Sequence, residues 1–263
     1  MSKLVVTIMA AGEGKRMNSD IPKVLHHFHS IPMLIRIIFE SYKLFPDKII
    51  IITGKYHDLI VDTIQTYLVI EHFDIFKLIV FVKQEIPNGT GDAIKSTLNM
   101  YSDNDNVLIL NGDMPLISAT LLQKLIDNTI ESNTDSMNIT PVSKLLVAKL
   151  DNPFGYGRIL FENGDFIGIK EEKDCSVIEK EIDIVNVGIF YFHSTILKQY
   201  IPLITNNNNQ NEYYLTDIIE IIREHSNIHI TTHLVENEYT YQIMGVNTQN
   251  ELLCLEKQYQ HLA

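Results

Sequence analysis

Residues 4–25, LVVTIMAAGEGKRMNSDIPKVL, set a short β-branched apolar run directly before a glycine-broken basic loop. A run such as 4–9 suits a strand covered on both faces, the situation of a parallel sheet between helices. Ala10, Ala11, Gly12 and Gly14 then remove side-chain bulk where the strand ends. Bare backbone N–H groups can there approach a polyphosphate and form an anion nest. Lys15, Arg16 and Lys23 add positive charge beside that loop, in a chain with 21 Lys and Arg against 33 Asp and Glu and a net charge of −12. The charge is placed rather than diffuse.

Spacing separates this loop from two better-known phosphate binders. A dinucleotide fingerprint needs a third glycine where Met17 stands, and the register of a P-loop is absent. On glycine spacing alone, an ordinary surface turn with solvated lysines is the competing reading.

The pattern downstream predicts an α/β fold. Met33, Leu34, Ile37, Ile38, Ser41 and Phe45 share one helical face after Pro32. Strands follow at 49–53, 78–82 and 107–110, with helices between them near 58–68 and after Gly91. Four alternations of strand and helix predict right-handed βαβ units in a Rossmann-like, mostly parallel mixed sheet flanked by helices. The ligand is expected at the C-terminal ends of the strands.

Beyond residue 145 the texture changes. Asn163-Gly164 between 158–162 and 165–170 is a type I′ hairpin signal. A strand is expected over 182–192, a polar loop over 206–211, and helices over 212–225 and 249–260. The expectation is a single domain, 1–263, with a nucleotide-binding half of about 1–145 and a smaller, β-rich, antiparallel half of about 146–263.

Composition bounds the partners. Net negative charge argues against nucleic acid and anionic membranes while leaving room for a compact anionic substrate in a basic pocket. Cys175 and Cys254 have neither metal-like spacing nor a disulfide framework, which fits a reducing, cytoplasmic setting. No run is long enough to cross a bilayer, and the chain enters its first strand without a leader. His26, His27 and His29 lack the second pair of ligands that a zinc site needs.

Asp113 follows an apolar strand and a glycine. It suits either a magnesium ligand at the rim of the sheet or the cap of the next helix. Gln84 offers a donor and an acceptor of the kind a pyrimidine edge requires, although Gln84 to Gly91 also reads as a polar turn.

Several of these stretches together resemble the sugar-1-phosphate nucleotidyltransferases. The resemblance rests on residues 10–17 (AAGEGKRM) with Pro22-Lys23, on 112–116 (GDMPL), on 152–159 (NPFGYGRI), on 184–188 (IVNVG), on 212–217 (EYYLTD) and on Gly245-Val246-Asn247. These motifs keep the family's order along nearly the whole chain. Within the family they are most similar to the uridylyltransferase domains that bacteria fuse to a β-helix acetyltransferase. The β-helix and its trimerisation platform are expected to be absent here, which leaves the oligomeric state open.

The resemblance implies a nucleotide-diphospho-sugar transferase fold and a sugar-binding lobe. It also implies uridylyl transfer from UTP to N-acetylglucosamine 1-phosphate with Mg²⁺. It assigns Arg16 and Lys23 to catalysis, Asp113 and Asn247 to the metal, and Ala10, Ala11, Gly12 and Gly14 to the nucleotide loop. Gln84, Gly89 and Thr90 would read the uracil, and Gly157, Glu171, Asn186 and Thr216 would hold the sugar.

Three positions depart from the family pattern: Lys15 and Val187 each replace the usual Thr, and Asp92 stands where many relatives have His. Two rivals remain: a UTP or dTTP glucose-1-phosphate nucleotidyltransferase, and a catalytically silent nucleotide sensor.

Overall fold

The computed structural model describes residues 2–127 and 142–260. The apolar run at the N-terminus forms β1 (Lys3–Met9), and His27–Phe28 (β2) with Ile31–Pro32 (β3) makes a small separate hairpin. Helix α1 (Met33–Tyr42), β4 (Lys48–Thr53), α2 (His57–Leu68), α3 (Phe73–Phe76), β5 (Ile79–Lys83), α4 (Thr90–Lys95) and β6 (Asp105–Asn111) follow in alternation. After α5 (Ala119–Asp127) come β7 (Ser143–Lys149), β8 (Gly157–Glu162), β9 (Asp165–Lys170), β10 (Ile184–His193), α6 (Ser194–Tyr200), α7 (Ile218–His225), β11 (Thr231–Leu234) and α8 (Gln249–Gln258).

The main sheet runs in the order β11-β7-β10-β6-β1-β4-β5, with the β8–β9 hairpin attached to β10. Strands β6, β1, β4 and β5 pair in parallel, and β11 is parallel to β7. Only β10, inserted between β6 and β7, opposes them in that row. The chain moves outward from β1 to β4 and β5, then returns to β6 on the other side of β1. The C-terminal ends of β1 and β6 therefore flank a topological switch point, where open α/β sheets bind ligands.

Both faces of the central strands are buried, as the unbroken apolar run requires. Val6, Ile8, Ile49, Ile51, Leu108 and Leu110 face one layer with Leu34 and Ile38 of α1, Ile60 and Ile64 of α2, and Leu121 and Leu125 of α5. Val5, Ile50, Ile52, Val107 and Ile109 face the other, against Ile94 of α4, Leu197 of α6 and Ile219 and Ile222 of α7. A third cluster of Met17, Phe28, Met33, Leu116, Val246, Leu252 and Leu255 pins α8 beneath the N-terminal loop. Thr7 is the one polar residue in the β1 run, and it is answered in the core: its hydroxyl lies 2.9 Å from the Tyr101 phenol, which Thr97 contacts at 2.7 Å. Burial pushes that phenol up to about 12.

Several expectations need correction. Phe45 does not continue the face of α1: the helix ends at Tyr42, and Phe45 is 88 % exposed at φ 54°. The cause is Pro46, which disfavours helical backbone in the residue before it. Residues 212–214 are not helical; α7 starts at Ile218 after a short 3-10 turn over Leu215–Asp217. The expected division near residue 145 falls inside β7, and the later part of the chain also contributes parallel pairing through β7 and β11. The expected hairpin is present as β8 and β9, with Asn163 and Gly164 both at positive φ in its turn. Among the described residues no helix is long and apolar enough to cross a membrane.

Candidate active site

At the end of β1 the backbone leaves the sheet with one last ladder contact, from Ala10 N–H to the Ile52 carbonyl at 2.8 Å. No acceptor among the described residues takes the backbone N–H groups of residues 11–16. Gly14 is left-handed at φ 64° and opens the 3-10 turn Lys15–Met17. A Cβ on it would come within 2.6 Å of Lys23 Cβ, so the glycine lets Lys23 sit against the loop. A Cβ on Gly12 would instead meet nothing within 4 Å. Bare donors and a side-chain-free surface are the elements of an anion nest.

Two cavities meet over this loop. One, of about 310 Å³, is bounded by Ala11, Gly12, Lys23, Gln84, Gly89 and Thr90. The other, of about 620 Å³, is bounded among others by Arg16, Tyr156, Gly157, Glu171, Asn186, Thr216 and Asn247. Met9, Thr90, Asn111 and Asp113 line both. The junction is therefore at the C-terminal ends of β1 and β6. The expected nucleotide residues, apart from Ala10 and Gly14, fall on the first wall, and the expected sugar residues fall on the second. Ala10 is 2 % exposed and Gly14 packs on Lys23, so these two shape the loop from behind rather than lining either cavity.

Charge is concentrated where the cavities join. The Lys23 ammonium donates to Asp113 Oδ2 and, at 3.0 Å, to Asn247 Oδ1, and Arg16 donates to the same Asn247 oxygen at 2.9 Å. Asn247 is held by its own N–H bonding to Glu251 Oε2 at 2.6 Å, and the Val246 N–H bonds the Asp113 carbonyl at 2.9 Å. Two hard oxygens from distant parts of the chain, on Asp113 and Asn247, thus converge on one cationic group, the donor chemistry that Mg²⁺ takes. Among the described residues no cluster of three or more His, Cys, Asp or Glu could hold a metal. An ion at Asp113 and Asn247 would draw its remaining ligands from phosphate and water.

The second cavity has a half-buried carboxylate of its own. Glu171 Oε1 accepts from the Thr216 hydroxyl at 2.9 Å, and burial pushes the Glu171 carboxyl above the usual carboxylate range. Asn186 turns its side-chain oxygen onto the Gly188 N–H at 2.9 Å. Gly188, at φ 80°, lies so close to Asn111 that a Cβ would come 2.5 Å from its amide nitrogen. Arg158, 1 % exposed, pairs with Glu172 at 2.7 Å and fastens the start of β8 beneath Gly157.

Sequence reasoning missed Asn111, Tyr156 and Glu251. Tyr156 forms part of the second wall, and its phenol is pushed up chiefly by burial, with Asp113 and Glu251 also nearby. Glu251 was signalled by the capping-box spacing Thr248-x-x-Glu251, and the Thr248 hydroxyl does accept from Glu251 N–H at 3.1 Å. Of the departures from the family pattern, Lys15 is an exposed side chain 3.5 Å from Glu13, whereas Val187 is buried in the core.

Comparison with known proteins gives a consistent picture. Residues 6–154 match the family described as MobA-like NTP transferase domain. A mimivirus protein, from Acanthamoeba polyphaga mimivirus, named "Probable UDP-N-acetylglucosamine pyrophosphorylase" is 38% identical over 258 residues, covering 97% of this chain and 95% of that protein. Bifunctional protein GlmU of Francisella tularensis subsp. novicida is 37% identical over 259 residues, covering 98% of this chain and 52% of that protein. The chain thus spans about half the length of that relative. A crystal structure from Bacillus anthracis, assigned there as a glucose-1-phosphate thymidylyltransferase in complex with a sucrose, is similar in fold. Its TM-score is 0.69 at 17% identity, covering 97% of this chain and 94% of that one.

Proposed function

The chain belongs to the MobA-like NTP transferase domain family, and within it we propose that it transfers uridylyl from UTP to N-acetylglucosamine 1-phosphate, releasing pyrophosphate. The observation that carries this reading is the junction at Asp113. A glycine-lined cavity and a carboxylate-bearing one meet there, and Lys23, Arg16 and Asn247 converge on the point where they join.

The sugar phosphate, with a second pKa of about 6, is already mostly dianionic at neutral pH. One of its oxygens bonds to the α-phosphorus of UTP as the bond from that phosphorus to the β-bridging oxygen breaks. Pyrophosphate carries away the electron pair. No side-chain base is required, so catalysis is alignment and neutralisation of charge. Gln84, Gly89 and Thr90 bound the space for the base, while Gly157, Glu171, Asn186 and Thr216 bound that for the sugar.

The free N–H groups of residues 11–16 and the Arg16 guanidinium take the phosphates that leave. The Lys23 ammonium, which donates to Asp113 and Asn247, turns its hydrogen bonds to the α-phosphate. Mg²⁺, held by Asp113 and Asn247, would supply neutralisation of phosphate charge. A preorganised donor such as the Lys23 ammonium contributes about 10²- to 10³-fold in rate.

The test is pyrophosphate release with Mg²⁺ and UTP, comparing N-acetylglucosamine 1-phosphate with glucose 1-phosphate. Preference for the acetylated sugar supports the reading. Preference for glucose 1-phosphate overturns the sugar assignment, and no release with either overturns the activity.

A further inference from the structure

Gln84 emerges from the end of β5, where its N–H is fixed to the Thr53 carbonyl at 2.7 Å, and only 6 % of the residue is exposed. Its side-chain Nε2 donates to Asp92 Oδ2 at 2.8 Å and to the Gly89 carbonyl at 3.3 Å. Both partners are acceptors only, so the two amide protons are committed. Turning the amide over would set its oxygen against a carboxylate and a carbonyl. Its partners thereby determine the orientation of the amide.

Asp92 is not on the cavity wall; it stands behind Gln84, in the first turn of α4, where negative charge is favoured. We infer that Asp92 is a specificity-determining positioning residue: by holding both Nε2 protons together with Gly89, it leaves Gln84 able to present only an acceptor, Oε1, to the base. This rests on the uridylyl reading above and deepens it.

Uracil and thymine carry one donor, N3–H, at the centre of the edge between two carbonyls, and a fixed acceptor matches that centre. Cytosine carries an acceptor at N3 and its donor on the flank, so it meets Oε1 acceptor to acceptor unless it slides across the cavity. A histidine at position 92 could present either a donor or an acceptor to Gln84, depending on its tautomer. The carboxylate removes that choice.

The test compares binding of UTP, dTTP and CTP to the wild type and to Asp92→Asn, an isosteric change that offers Gln84 either a donor or an acceptor. The expected result is a fall of about tenfold in the UTP/CTP affinity ratio, the scale of one hydrogen bond. The dTTP/CTP ratio should fall in parallel, and the melting temperature should stay unchanged. A wild-type preference for UTP that Asp92→Asn leaves intact overturns the inference alone. A wild type with no preference for UTP over CTP overturns the uridylyl reading and the inference with it. In the wild type without nucleotide, the Gln84 side-chain amide protons should appear in NMR as two separate resonances protected from solvent exchange. Averaged, rapidly exchanging protons would also overturn the inference.

Discussion

Gly14 and Lys23 are in contact through the space a side chain would fill: a Cβ on the glycine would come within 2.6 Å of Lys23 Cβ, at a backbone φ of 64°. A Cβ on Gly12, two residues earlier, would meet nothing within 4 Å beyond its own chain neighbours. The two glycines should therefore separate stability from binding. Gly14→Ala should lower stability by about 1–3 kcal/mol, as strained left-handed backbone does, and should lower turnover by displacing Lys23. Gly12→Ala should leave thermal unfolding unchanged while raising KM for UTP. Equal melting losses in the two variants would refute the distinction.

Lys23→Ala removes the ammonium that bridges Asp113 and Asn247. Turnover should fall by about 10²- to 10³-fold, with far-UV circular dichroism and KM for the sugar phosphate little altered. Near-normal kcat would remove Lys23 from the chemistry.

Asp113→Asn keeps the shape of the junction and removes its negative charge. The Mg²⁺ concentration for half-maximal rate should rise by about tenfold or more, because a carboxylate binds a hard cation far better than an amide. An unchanged metal titration would show that the ion is held elsewhere.

Asp217 supplies a pH-dependent test. Burial, helped by Glu171, Glu220 and Asp174, pushes its carboxyl up to about 6, against about 3.9 in an unfolded chain. The folded state therefore binds the proton more tightly, and this contribution to stability is present in full below about pH 4 and lost as pH rises through about 6. Asp217→Asn should match the wild type near pH 4 and melt at a higher temperature above pH 6. A gap that stays constant across that range would contradict the shifted carboxyl.

What could be read in the sequence was what local chemistry dictates. β1, β4 and β6 declare themselves through apolar runs whose alternate residues reach opposite core layers, as Ile49 and Ile50 do. The β8–β9 turn declares itself through Asn163 and Gly164, both at positive φ. β7 was hidden because Lys144 sits within it. That lysine is 7 % exposed, and its ammonium is satisfied by the Ile126 carbonyl at 3.0 Å and the Leu125 carbonyl at 3.3 Å. The sequence shows the charge but not the partners that bury it. The residues of the junction were found through family resemblance, since nothing in the spacing of Asp113 and Asn247 says that they meet. The Gln84–Asp92 contact is local, yet its meaning depends on which way an amide faces, and only the folded neighbours settle that.

The ties from Asn247 to Lys23 and from Val246 to the Asp113 carbonyl also impose an order in time. On the ribosome, β1, β4, β5 and β6 can pair before the second half of the chain has emerged. The residue that completes the junction leaves the tunnel only after every strand described above. A chain interrupted before that point could build most of its sheet and still have a lysine and an aspartate facing each other without their third member. The contact of Lys23 with Asp113 and Asn247 is thus completed by a segment that contributes nothing to the sheet itself.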